Sequence, residues 1–113
     1  MPTPLPNRAV RGSRSGKPIM ALLDLLGRRW MLRVIWELRE EALTFRELRQ
    51  RCDAMSPTML NQRLHELREA ALVLHSETDG YVLAPLGKDL IASMQPLMQW
   101  SAQWQQELEN GAA

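Results

Sequence analysis

Between Thr58 and His65 the chain places Thr58, Asn61, Gln62, Arg63 and His65, side chains whose donors and acceptors match the edges of DNA bases. Asn and Gln bond adenine at two atoms, Arg does the same with guanine, and Thr offers a hydroxyl and a methyl group suited to thymine. Thr44, Arg46, Arg49 and Ser56 lie just upstream. They have the chemistry of phosphate contacts, which position a protein on a duplex without reading its sequence. Catalytic chemistry has no comparable set: there is no nucleophile paired with a base and no glycine-rich phosphate loop. Cys52, His65 and His75 lack the spacing of metal ligands. No enzyme activity is expected, and neither a metal nor a cofactor is assigned.

Plainer readings stand beside these. Arg46 and Arg49 also suit a solvated helix face that pairs with Glu at four-residue spacing. His65 fits a base contact, a pH-sensing group or an ordinary surface residue. Cys52 fits a small inert residue packed into a turn, and the adjacent Glu40 and Glu41 fit a solvated turn.

A reading set needs a rigid platform, and hydrophobic periodicity supplies one. Ile19, Leu22, Leu23 and Leu26 predict a short helix that opens at Pro18 and stops at Gly27. Met31, Val34, Ile35 and Leu38 predict a second, from about Arg29 to Arg39. Leu43-Thr44-Phe45 is a small extended step into a third helix, whose start is marked by the capping-box spacing of Thr44 and Glu47. After the turn at Cys52 to Met55, Ser56-Pro57 opens a fourth helix running to about Ala71. Its apolar stripe is Leu60, Leu64, Leu67 and Ala71, and Thr58, Asn61, Gln62 and His65 fall on the opposite face. Val73 to Glu77 and Tyr81 to Leu83 read as two strands around Asp79-Gly80, a dipeptide suited to a two-residue hairpin loop.

Pro85 then starts a long final helix with a seam of Leu86, Leu90, Met94, Leu97, Ser101, Trp104 and Leu108, and a kink is expected at Pro96. That seam outlasts what a small domain can cover, so partner packing is the stronger reading of Trp100 and Trp104, ahead of intrachain core or cofactor wall. The fold expected is mainly α with a small β-hairpin, a winged helix-turn-helix over 18–84. An added C-terminal dimerisation helix and tail occupy 85–113 of the same compact domain, and residues 1–17 form a flexible basic arm. In such a fold the second helix of the helix-turn-helix carries its polar face into the major groove.

The runs LLGRRW (25–30), FRELRQRC (45–52), MSPTMLNQRLHELREAALV (55–73), YVLAPLGKDL (81–90) and PLMQW (96–100) resemble the HxlR-type family of bacterial winged-helix transcriptional regulators, over roughly residues 17–104. The resemblance implies a homodimer that binds operator DNA, with Ser56 to His65 as the base-reading element and the terminal helices in the dimer contact. Met20, Leu23, Met94, Leu97, Trp100, Ser101 and Trp104 are the candidate interface residues. Arg29 stands where the family usually has a lysine before the tryptophan, which makes it a candidate phosphate contact. Redox-sensing members carry a reactive cysteine just before the first helix, where this chain has Lys17-Pro18, so thiol sensing by that route is not expected. Family wings are commonly longer and more basic, whereas this hairpin tip is Glu77-Thr78-Asp79-Gly80, and its two acids repel phosphate.

The function expected is therefore sequence-specific regulation of transcription by a homodimer on a palindromic operator. The alternative is a winged-helix protein-interaction module with little or no DNA binding. A small-molecule effector is left open, and no polar cluster identifies one.

Composition agrees once it is divided. The chain has 113 residues, 45% hydrophobic and 24% charged, which suits one globular domain. A single cysteine excludes an intrachain disulfide and suits a reducing cytoplasm, the expected location. No apolar run approaches the roughly 18 residues of a spanning helix, so no membrane is expected. The net charge of +1 conceals a polarity: residues 1–68 hold 13 basic side chains and seven acidic ones, while residues 69–113 hold Lys88 and six acids. A basic half that includes the reading helix is balanced by an acidic half that includes the wing.

Overall fold

The computed structural model describes residues 2–111. Ala112 and Ala113, the end of the expected C-terminal tail, lie outside the described residues, as does Met1 of the expected arm. The order is α1 (Pro18–Leu26), α2 (Met31–Glu37), α3 (Phe45–Arg51), α4 (Pro57–Glu69), β1 (Val73–Ser76), β2 (Gly80–Leu83), α5 (Pro85–Ser93) and α6 (Gln95–Glu109). This is a mainly helical winged helix-turn-helix with one antiparallel hairpin. Among the described residues no helix is long and apolar enough to cross a membrane.

One apolar core joins the elements. Leu25 of α1, Met31, Val34 and Ile35 of α2, Leu48 of α3, Leu60, Leu64 and Leu67 of α4, and Val73 and Leu83 of the hairpin are all buried in it. Fully burying one such side chain contributes about 1.5–3 kcal/mol, so this shared cluster fixes α4 in place. Leu43 extends the hairpin: its N–H donates to Tyr81 O (2.9 Å) and its carbonyl accepts from Tyr81 N (2.7 Å). The neighbouring position must be glycine, because Gly80 has φ +88° and a Cβ there would stand 2.4 Å from the Leu43 carbonyl oxygen.

The structure corrects four expected boundaries. Helix α2 starts at Met31 rather than Arg29, because Trp30 takes a left-handed φ of 72°. That conformation costs an L-residue about 1–2 kcal/mol, and the indole packs against the core in return. Helix α4 ends at Glu69, with Ala71 left-handed at φ 61°. The hairpin loop is Glu77-Thr78-Asp79, since Gly80 pairs with Ser76 inside the sheet; the loop is fastened by Thr78 N and Asp79 N donating to Ser76 Oγ (3.2 and 3.3 Å). The single kinked final helix is two helices meeting at Met94, which places Pro96 in the first turn of α6. A proline there gives up no internal hydrogen bond.

The basic segment read as a flexible arm is folded onto the body. Thr3 Oγ1 donates to Glu69 Oε1 (2.6 Å), and Arg28 Nη2 donates to the Pro2 carbonyl (2.7 Å).

Candidate nucleic-acid interface

Capping chemistry sets the helix-turn-helix. Thr44 Oγ1 accepts from Glu47 N (3.2 Å) and Glu47 Oε1 accepts from Thr44 N (2.9 Å), the reciprocal box expected from the spacing. The bond from the Thr44 backbone, reinforced by its hydroxyl, holds the Glu47 carboxyl below the usual carboxylate range. Ser56 Oγ accepts from Met59 N (3.3 Å) at the start of α4. The turn between them uses two left-handed residues, Asp53 and Ala54, and is held by Arg49, whose Nε donates to the Met55 carbonyl (2.7 Å). Arg49, expected as a phosphate contact, is thus committed through Nε to bracing this turn. Arg46 stays exposed with no side-chain partner among the described residues.

Thr58, Asn61, Gln62 and His65 lie exposed along α4, with His65 Nε2 3.4 Å from Glu69 Oε1. Arg63 does not join them. Its side chain is 11% exposed, and Nε lies 3.2 Å from Glu66 Oε1 without the alignment of a hydrogen bond. Three residues after Leu60, Arg63 belongs to the flank of the buried stripe, as the helical repeat requires. The expected base contact by Arg63 is replaced by an internal ion pair.

Its partner carries no mark in the sequence that separates it from a solvated helix carboxylate. Glu66 is fully buried and receives Nη1 of Arg28, from the α1–α2 turn, on Oε2. Gln62 Nε2 stands 3.4 Å from the same oxygen. A buried carboxylate needs paired, hydrogen-bonded cations, and here one arginine comes from each of two elements. The pair Arg28-Arg29 is ambiguous in sequence, because nothing distinguishes which arginine points inward. In the fold Arg28 turns to Glu66, and Arg29 is exposed without a partner among the described residues.

Two grooves flank the exposed face of α4. On the Gln62 side a groove of about 650 Å³ is lined by Arg11, Arg28, Arg29, Arg63, Gln62 and Asp24, among others. On the Asn61 side a groove of about 380 Å³ runs between Thr44 and the wing residues Ser76, Glu77 and Thr78, with His75 stacked on Tyr81 at 4.3 Å between ring centroids.

Helix α6 has no buried residue. Leu97 is 62% exposed, Trp100 and Trp104 are each 54% exposed, and the two indoles stack at 5.8 Å. Ser101 is exposed, while Met94 is half-buried and borders an apolar groove with Leu32, Trp36 and Ile91. Leu23 on α1 is exposed. Met20 has an intrachain neighbour instead, since its Cε lies 2.5 Å from where a Cβ on Gly12 would be. Cys52 is buried, and burial pushes its thiol up to about 11. Among the described residues no cluster of His, Cys, Asp or Glu could hold a metal ion.

A family model described as HxlR-like helix-turn-helix matches residues 25–109. The fold is similar to that of quinone-bound YodB from B. subtilis (29% identity, 75% of this chain and 94% of that one, TM-score 0.70). It is also similar to that of a possible HxlR family transcriptional factor from Thermoplasma volcanium GSS1 (26% identity, 80% of this chain and 86% of that one, TM-score 0.66). No curated protein matches the chain.

Proposed function

Because the chain belongs to the HxlR-like helix-turn-helix family, whose members are DNA-binding transcription factors rather than enzymes, we propose that it is a homodimeric regulator that binds a palindromic operator with α4 in the major groove. The observation that carries this reading is the exposed row Thr58, Asn61, Gln62 and His65 on a helix whose other side is locked into the core. Thr58, Asn61 and Gln62 supply the hydrogen bonds to base edges, with His65 beside them. Arg29 and Arg46 supply phosphate contacts, with the helix-capping hydroxyls of Thr44 and Ser56 next to them. Arg49 contributes by holding the turn.

Dimerisation rests on α6. A 15-residue helix with no buried residue and a stacked tryptophan pair has an apolar face that only a partner can cover. Twofold symmetry then sets two copies of α4 about 34 Å apart, one turn of DNA. The compact unit of 18–84 is the reading head, and 85–113 the dimerisation segment. A quinone is bound in the YodB structure; here the lone cysteine is buried and protonated at neutral pH, so an electrophile acting through Cys52 is not part of this proposal.

Selection of binding sites from a random pool tests the reading. Wild type should select a palindrome, and Asn61→Ala or Gln62→Ala should each lose about 1–3 kcal/mol of discrimination at the contacted base pair. Unchanged preference in both variants overturns the assignment of the face. Leu97→Ala with Trp104→Ala should sediment as monomer, and a persistent dimer removes α6 from the interface. The acidic wing favours a second reading, a protein-interaction module with little or no DNA binding, which requires that no sequence be selected and that DNA affinity stay negligible even at low salt.

A further inference from the structure

The family match begins at residue 25, yet residues 2–17 fold into a closed loop against the DNA-facing side. Asn7 N donates to Gly16 O (3.0 Å), and Val10 and Ser13 exchange two backbone bonds (2.9 and 3.1 Å) around a tight turn at Arg11-Gly12. Gly16 makes the closure possible: its φ is +72°, and a Cβ there would lie 2.1 Å from the Arg8 carbonyl oxygen.

The loop is tied to the body through its backbone and the Thr3 hydroxyl. Arg11 N donates to Asp24 Oδ2 (3.1 Å), Pro2 O accepts from Arg28, and Thr3 donates to Glu69. Its cations are left over. Among the described residues the guanidinium groups of Arg11 and Arg14 have no hydrogen-bond or ion-pair partner, and Arg8 makes one long bond of 3.4 Å to the Thr3 carbonyl. Arg11 stands on the same groove as Arg29 and Gln62.

We infer that this loop is a second DNA-contact element, in which Arg11, flanked by Arg8 and Arg14, seats backbone phosphates on the side of the major groove away from the wing. The inference rests on the regulator reading and extends it. A duplex with α4 in its major groove presents a phosphate strand on each side of that helix. One strand meets Glu77 of the wing groove; the other meets the groove that holds Arg11 and Arg29. Because the loop backbone is already folded, only the arginine side chains lose freedom on binding phosphate.

The full chain carrying Arg8→Gln, Arg11→Gln and Arg14→Gln tests this on the operator that wild type selects. Each lost phosphate contact removes about 0.9 from the slope of log affinity against log salt. The triple variant should therefore lose about two to three units of slope and about tenfold or more in affinity, with sequence preference and urea midpoint unchanged. Arg11→Gln alone should lose about one unit, and the triple lysine variant should restore the slope. A wild-type slope in the triple glutamine variant overturns the inference while leaving the regulator reading intact. Wild type that selects no sequence overturns both, and is recognised before any variant is made.

Discussion

The two flanks of α4 differ in what they are built from and in what is left over after internal pairing. On the wing side the polar groups close on one another: Ser76 binds its own loop, His75 stacks on Tyr81, and Thr44 and Glu47 spend their side chains on a helix cap. On the other side a buried carboxylate consumes Arg28 and Arg63, and Arg11 and Arg29 remain unspent on the rim. The winged fold does not by itself decide which flank holds the duplex. Of the two grooves beside α4, the one away from the wing is lined by the unpaired cations Arg11 and Arg29.

Substitutions at matched positions break or sharpen that contrast. The largest effect belongs to Glu66→Ala, which leaves two arginines facing each other without their anion and should cost about 3–5 kcal/mol in urea unfolding. Glu77→Ala on the wing should stay within about 0.5 kcal/mol, and equal losses would erase the asymmetry. Next, Arg29→Gln should reduce the salt slope of operator binding by about one unit. Glu77→Gln with Asp79→Asn should leave the slope nearly unchanged and tighten binding slightly by removing repulsion; a weaker complex would place those acids in a favourable contact. Thr44→Ala removes the cap on the wing side and should cost about 1 kcal/mol of stability, less than the loss of Glu66 on the other flank.

The effect that is absent at neutral pH comes from the core beneath both flanks. The Cys52 thiol titrates near 11 in the fold against an ordinary value of 9.0, so unfolding releases its proton between those limits. Its contribution to stability is complete below about pH 9 and is lost as pH rises toward about 11. Cys52→Ser should flatten that alkaline decline without altering operator affinity at neutral pH, as read by urea titrations across the range.

The elements were legible because local signals agreed. The capping box at Thr44 and Glu47, Ser56-Pro57 before α4, and the Leu60, Leu64 and Leu67 stripe each pointed to the element that formed. The failures came where tertiary contacts decide. Prolines and spaced arginines in residues 1–17 read as flexible chain, and the closure at Gly16 depends on a left-handed residue and partners as distant as Glu69. Pro96 has the sequence setting of an interior kink because the apolar seam runs unbroken through Met94. Arg63 has the chemistry of a base contact, although its angular place beside Leu60 already puts it on the flank of the buried stripe. Glu66 gave no warning, since a carboxylate on a helix is ordinarily solvated and its burial requires Arg28 from another element.

The Glu66 anchor also bears on how stiffly the protein reads. Turning α4 about its own axis by one residue, about 100°, would bring Arg63 to the edge now held by Gln62 and withdraw the Glu66 carboxylate from Arg28, which belongs to the α1–α2 turn. A key fitted across a shaft resists rotation in the same way. Torsional stiffness of the reading helix is therefore set by a charge at its back, and a variant that loosens that charge should blur discrimination among operators before it reduces affinity for any one of them.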